Sequence, residues 1–199
     1  MLRCYLNQLL LRNTSSIFHH RSSQKNLDRL RLFSNGRPTL NTTQLTHVTE
    51  EDGRVKMVDV SGKVATKRVA FASCCVLLSK PVFEAVKSNT MKKGDVLTVA
   101  KLAGIMGAKN TPLLIPLCHS ISLSSVDVNL TLKEEDFSVY ISAEASCWGQ
   151  TGVEMEALTA VSVAGLTVYD MCKSMSHNIV ITDIQLQMKY GGKEDFVRS

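Results

Sequence analysis

Residues 125–144 read SVDVNLTLKEEDFSVYISAE, and the alternation within them decides the fold. Val126, Val128, Leu130 and Leu132 fall on one side of the first half; Phe137, Val139, Ile141 and Ala143 fall on one side of the second. A period of two marks a half-buried strand, because successive side chains point to opposite faces. The link between the halves, KEED at 133–136, is short and charged, so the segment is predicted as an antiparallel hairpin.

Working outward, VEMEALTAVSVAGLTVYDMCKSM (153–175) is the longest helical candidate. TDIQLQMK (182–189) alternates again, which predicts Ile184, Leu186 and Met188 inward and Lys189 on the polar parity. Upstream, TKRVAFASCCVLLS (66–79) is rich in small and β-branched residues and is expected to be extended. SKPVFEAVKSNT (79–90) opens like a helix, with Ser79 as cap and Pro81 in the first turn. A second helix is predicted from Asp95, behind a turn at Lys92-Lys93-Gly94. LLIPLCHSISL (113–123) contains Pro116 and is expected to be extended. QLTHVTEEDGRVKMVDVSGK (44–63) is an ordered leader with turns at Asp52-Gly53 and Ser61-Gly62. From residue 67 the order is strand, helices, strand, strand, helix, strand. That order, with a secure hairpin in the middle, predicts an α+β, ferredoxin-like antiparallel sheet with helices on one face, preceded by a disordered basic tail.

The net charge of +5 is not spread evenly. Residues 1–40 carry seven basic residues and one acid; residues 41–199 carry sixteen basic and seventeen acidic ones. The basicity belongs to the tail, so the body has no general claim on a nucleic-acid backbone. The tail is rich in Arg and Ser and poor in acids, like a mitochondrial transit segment; a linker from a longer precursor is the alternative. Its Leu9–Leu11 cluster is too short to span a bilayer. The expected division is 1–43 as targeting or linker segment, 44–193 as the domain and 194–199 as a flexible tail. The six cysteines (4, 74, 75, 118, 147, 172) show no metal-ligand spacing and are read as reduced, mostly buried small hydrophobes.

The long helix keeps its polar groups in one stripe. At about 100° per residue, Asp170 and Lys173 lie roughly 60° apart, and Glu156 and Thr159 return to within about 40° and 20° of Asp170. The remaining circumference is largely Ala, Val, Leu and Met, which predicts burial against the sheet and a partner subunit. Asp170 and Lys173 read first as an i,i+3 ion pair worth a few tenths of a kcal/mol, with a reacting pair in a cleft as the alternative. Arg68 stands among Ala70, Ala72 and Cys74 on its side of an extended run, which suits a pocket. Lys93, in a turn before a helix, reads as a phosphate ligand or a solvated charge. His119 reads as a pocket wall or a satisfied core imidazole. Cys118-His119 is a weak metal signal, lacking a third ligand in spacing. Gly191 and Gly192 match no phosphate-loop pattern and read as a mobile end; His47 and His177 carry little information.

MVDVS (57–61), KGDVL (93–97), AGIMGAK (103–109), IPLCH (115–119), TGVEMEALTAVSVAGLTVYDMCK (151–173) and GGK (191–193) resemble, in order and without large gaps, the cyclic pyranopterin monophosphate synthases of molybdenum-cofactor biosynthesis. The resemblance implies a ferredoxin-like protomer in a homohexamer, a trimer of dimers with interface active sites. It implies a lyase that converts 3′,8-cyclo-7,8-dihydroguanosine 5′-triphosphate to cyclic pyranopterin monophosphate and releases pyrophosphate. Carried over by motif, Lys93, Asp170 and Lys173 are expected to be catalytic. Arg68, His119, Lys189, Glu154 and Glu156 are expected to bind substrate. No cofactor is implied beyond the Mg2+ that a triphosphate can bring with it, and no metal ligand is assigned. The partners implied are the small-molecule substrate, other copies of the chain and a functional link to the preceding radical enzyme, with no nucleic acid and no membrane. The expected location is the mitochondrial matrix, or the cytoplasm if the tail is only a linker. Three departures stand out: Ser120 where the family usually has Pro, Gln150 where it has Lys, and Tyr190 where a small residue is common. The alternatives are a non-catalytic oligomeric domain that binds a nucleotide-like ligand, and a metal-dependent hydrolase using Cys118 and His119.

Overall fold

The computed structural model describes residues 55–199. The basic tail, Cys4, His47 and the Asp52-Gly53 turn lie outside the described residues. The architecture is α+β: an antiparallel sheet with helices packed against it. Strands β1 (Thr66–Leu77), β2 (Leu123–Lys133), β3 (Ser138–Gly149), β4 (Val180–Tyr190) and β5 (Phe196–Val197) form one sheet in the order β2-β3-β1-β4-β5. Helices α1 (Lys80–Lys87), α2 (Val96–Lys109), α3 (Thr111–Leu114) and α4 (Glu154–Cys172) complete the domain.

The hairpin forms as its alternation dictates. β2 and β3 pair antiparallel from Leu123↔Cys147 to Lys133↔Ser138. Val128, Val139 and Ile141 are fully buried, and Val126, Leu130 and Leu132 pack against the same core. Phe137 takes a positive φ of 53° in the turn rather than opening the strand. Ala70, Ala72, Cys74 and Val76 of β1 join this core from one parity, and the Cys74 thiol donates to the Val161 carbonyl of α4 at 3.3 Å. Cys74, Cys75, Cys147 and Cys172 are buried, as small hydrophobes are expected to be.

Three expectations differ from the structure at defined places. β4 does not keep a single parity, because its pairing with β1 shifts register between Phe71/Ala72 and between Ser73/Cys75. Each shift flips which residues face the helices. Leu186 and Ile181 therefore pack on the core, Ile184 is exposed, and Met188 pairs beside Phe71, opposite to Lys189. LLIPLCHSISL is not extended throughout: Leu113 and Leu114 lie in the single turn of α3, and strand begins only at Leu123. Pro112 at the start of α3 suits a first helical turn, and Pro116 follows its end. The last residues, expected to be a flexible tail, add β5, with Lys189↔Phe196 and Met188↔Val197.

α4 lies across the sheet and against α2. Gly104 and Gly107 allow the approach: a Cβ at 107 would come within 2.8 Å of Val163 Cγ2, and one at 104 within 3.0 Å of the Ala160 carbonyl. The outer side of the helix layer stays apolar and uncovered, with Val99, Leu102 and Met106 of α2 and Leu113 and Leu114 of α3 exposed. Among the described residues no helix is long and apolar enough to cross a membrane.

Candidate active site

α4 carries polar groups at both ends, and each end gathers a different cluster. At 1.5 Å per residue the helix is about 28 Å long, so Glu156 and Asp170 stand about 21 Å apart along it. The stripe foreseen on this helix is real in direction but not uniform in environment: Glu156 and Thr159 are buried, Asp170 and Lys173 exposed.

The C-terminal cluster joins Asp170, Lys173 and Lys93. Lys173 Nζ lies 2.6 Å from Asp170 Oδ1, and Lys93 Nζ lies 2.6 Å from Oδ2. Lys93 also donates to the Asp170 backbone carbonyl at 3.0 Å. Lys93 reaches this point because Gly94 takes a φ of +94°, which glycine tolerates, and Asp95 then caps α2 by accepting from the Thr98 amide. A carboxylate near a helix C-terminus opposes the macrodipole, so Asp170 sits here against the local preference and two ammonium groups compensate it. Hydrogen bonds from Lys173 and then Lys93 hold the Asp170 carboxyl down to about 2. The same bond from Asp170 raises Lys173 above the usual lysine value. Two cations and one anion leave a net charge of +1, half-open to solvent, suited to an anionic substrate.

The N-terminal cluster is built at one end of the strands, where the start of β1 lies between the ends of β3 and β4. Arg68 donates to the Gly149 carbonyl at 3.2 Å and to the Gln150 carbonyl at 3.5 Å. Lys189, turned to the helix side of β4, lies 3.5 Å from Glu154 Oε1. Gly191 has a φ of +85°, and a Cβ there would collide with the Lys67 carbonyl. Thr66 Oγ1 donates to the Gly191 carbonyl at 2.7 Å, and the Gly191 amide donates to Asp195 at 3.1 Å. The glycine pair, read from sequence as a mobile end, is thus pinned beside Lys67 and Arg68. A Cβ on Gly152 would fall on the Glu154 carboxylate, so this glycine gives Glu154 its place.

Glu156 is 1% exposed; the Cys118 thiol lies 3.8 Å from its Oε1, and its Oε2 has no partner among the described residues. Burial pushes the Glu156 carboxyl up, and burial first, then the neighbouring Glu156, pushes the Cys118 thiol up to about 11. His119 lies next along the loop, its Nε2 2.7 Å from the Val58 carbonyl. Gln150 donates to the Ser61 carbonyl at 3.2 Å, a second tie on the leader.

Of the residues singled out in sequence, one protomer brings Lys93, Asp170 and Lys173 together, and gathers Arg68, Glu154, Glu156, His119 and Lys189 around the opposite end of α4. It does not bring the two sets to one point. Sequence reasoning missed the carbonyls of Gly149 and Gln150 that hold Arg68, the thiol of Cys118 against Glu156, and the tie from Gln150 to the leader. Only the run GQTG, with two glycines before the helix, hinted at the first. Among the described residues no group of three or more His, Cys, Asp or Glu side chains could hold a metal ion.

The sequence is similar to those of known proteins. Over 151 residues the chain is 62% identical to "Cyclic pyranopterin monophosphate synthase, mitochondrial" of Arabidopsis thaliana, covering 76% of this chain and 56% of that protein. It is 57% identical over 158 residues to "Molybdenum cofactor biosynthesis protein 1" of Drosophila melanogaster, covering 79% of this chain and 28% of the relative. It is 51% identical over 150 residues to "Cyclic pyranopterin monophosphate synthase" of Peptoclostridium acidaminophilum, covering 75% of this chain and 94% of the relative. The chain thus spans about half of the plant relative's length and about a quarter of the fly protein's. The model of the MoaC family matches residues 57–192, most of the described domain, and with these identities it establishes that the chain belongs to the MoaC family.

Proposed function

We propose that the chain is a pyrophosphate-releasing lyase that converts 3′,8-cyclo-7,8-dihydroguanosine 5′-triphosphate to cyclic pyranopterin monophosphate in molybdenum-cofactor biosynthesis. The observation that carries this reading is the Asp170 carboxylate shared by Lys173 and Lys93, each at 2.6 Å, in a chain of this family. The names of the plant and bacterial relatives support the same reaction.

Lys173 enters as an ammonium, because Asp170 raises its pKa, and gives its proton during ring opening and rearrangement. Lys93 exchanges a second proton, with Asp170 orienting both amines through its two oxygens. A sugar hydroxyl then attacks the α-phosphate and expels pyrophosphate. Arg68, His119 and Lys189 offset charge as it moves to the leaving group, and Glu154 orients Lys189. Mg2+ would come with the triphosphate and screen its charge.

The reaction needs both clusters, and the geometry of one protomer keeps them about 21 Å apart. A site completed by a second copy resolves this. We therefore read the chain as a homohexamer, a trimer of dimers, whose sites join the Lys93–Asp170–Lys173 end of one protomer to the Arg68–Glu154 end of its neighbour. The exposed apolar groups on α2 and α3 supply surface for such assembly. A functional link to the preceding radical enzyme follows from the substrate, which that enzyme makes.

A mitochondrial location belongs to the same reading, supported by the name of the plant relative and the Arg- and Ser-rich composition of residues 1–43. Residues 1–43 fused to a fluorescent reporter should send it to mitochondria; a diffuse reporter would return the segment to a linker.

The deciding experiment supplies the cyclised GTP derivative to the purified chain without reductant. Pyranopterin product and pyrophosphate should appear in equal amounts. Lys173→Ala should lower kcat at least about 100-fold, the usual scale of a lost general acid. Normal turnover by that variant would remove the central assignment.

A further inference from the structure

Glu156 poses a problem that the proposed reaction does not answer. The side chain is buried, Oε2 has no partner among the described residues, and the contact at Oε1 is a thiol at 3.8 Å. Nearby cations are engaged elsewhere: Arg68 of β1 with the Gly149 and Gln150 carbonyls, Lys189 of β4 with Glu154. The other titratable groups around it are Cys118 of the loop after α3, Cys147 of β3 and Glu154 of its own helix. None of these offers a positive charge. The donors that favour its charged form are its own backbone amide and the Cys118 thiol, and a buried carboxylate with no cation beside it is far costlier than a buried neutral acid.

We infer that Glu156 is a neutral carboxylic acid in the folded protein and acts as a positioning residue, seating the Cys118–His119 loop on the first turns of α4 so that His119 holds the leader at Val58. The chain of contacts runs from Glu156 Oε1 to Cys118 Sγ, along one peptide to His119, and from His119 Nε2 to the Val58 carbonyl at 2.7 Å. The leader is fastened again at Ser61 by Gln150, whose own carbonyl receives Arg68. Glu156 thereby fixes the loop and leader beside the Arg68 end of the site. The upward push of burial on the Glu156 carboxyl agrees with this state. Glu154, two residues earlier, instead pairs with Lys189, so the neighbouring carboxyls have divided roles.

The catalytic consequence rests on the proposed function, but the state and its structural effect do not, and substrate-free measurements test them. The infrared difference spectrum of wild type minus Glu156→Gln at pH 7 should contain the carbonyl stretch of a protonated carboxyl. Amide hydrogen exchange in residues 57–63 should be about tenfold faster in Glu156→Ala and unchanged in Glu156→Gln, which keeps the shape and an acceptor for the thiol. The sign of the linkage is fixed: with the folded pKa raised above 4.5, the wild type gains most below that value and loses this advantage as pH rises through the folded pKa. The Tm of Glu156→Gln relative to wild type should therefore climb from about pH 4 to about pH 8. A carboxylate band in place of the protonated one, a Tm difference that falls with pH, or equal leader opening in the two variants would overturn the inference. A protein inactive on the cyclised nucleotide that shows the band, the exchange pattern and the Tm trend would keep it and remove the proposed reaction instead.

Discussion

Asp170 is placed where a helix disfavours it, and the two lysines that hold it come from different distances along the chain. Lys173 is three residues away and was legible from helical spacing alone. Lys93 is 77 residues away and reaches Asp170 only because α2 packs beside α4; no periodicity can report that. The pKa directions decide what pH will do. Asp170, held at about 2 against an ordinary 3.8, supports its ion pairs fully above the ordinary value and loses them as pH falls through about 2. It stays ionised wherever activity is measured, so the acid limb of kcat/KM belongs to other groups. Asp170→Asn should leave that limb in place, lower kcat about 100-fold, and move the alkaline limb to lower pH, since Lys173 loses the partner that raises it. A pH–rate profile of the variant checks all three. An unchanged alkaline limb would show that Lys173 is not the ionisation limiting the reaction.

At the scale of elements, the β2–β3 hairpin and α4 were readable because each keeps one backbone period along its length. β4 was not, because two register shifts against β1 turn it over in mid-strand. Alternation in sequence assumes an unbroken pleat, and nothing in TDIQLQMK announces where the pleat breaks, although Asp183 has a φ of 54°. Lys189 consequently reaches Glu154 on the helix side although its neighbour Met188 does not face the core. The α2–α4 contact is likewise hidden in sequence, where Gly104 and Gly107 look only like weak helix formers. Gly107→Ala should test it. Helix propensity alone would stabilise by up to about 1 kcal/mol, but the new Cβ would meet Val163 Cγ2 at 2.8 Å and Cβ at 2.9 Å, atoms with little room to retreat. Overpacking of this kind costs about 1–3 kcal/mol, so the urea midpoint should fall with an unchanged slope. Adding Val163→Ala should recover part of the loss. The single variant should also lose activity beyond its loss of stability, because α2 carries the turn that aims Lys93.

For the whole molecule, the proposed assembly makes a quantitative demand on mixtures. Lys173→Ala damages one end of α4 and Arg68→Ala leaves that end intact while damaging the other. If each site lay within a single protomer, every site in a mixture would carry one lesion, and mixing two inactive variants would yield nothing. If each site joins opposite ends of two neighbours, a mixed pair holds one site with both lesions and one with neither. Random pairing makes about half the pairs mixed, so about a quarter of all sites should regain activity after co-refolding in equal amounts. Leu102→Glu on the exposed face of α2 provides the matching physical test, since Leu102 is 59% exposed in the protomer and its replacement should not disturb the fold. Light scattering should then show a smaller assembly, with circular dichroism unchanged, if that face is used between copies. An assembly of unchanged size in this variant would move the contact to the other face of the sheet, where Trp148 is 70% exposed. Recovery by complementation would still stand, because it depends on which ends meet and not on which apolar surface brings them together. Failure of complementation in a mixture shown to exchange protomers would confine the chemistry to one end of α4 and take the proposed shared site with it.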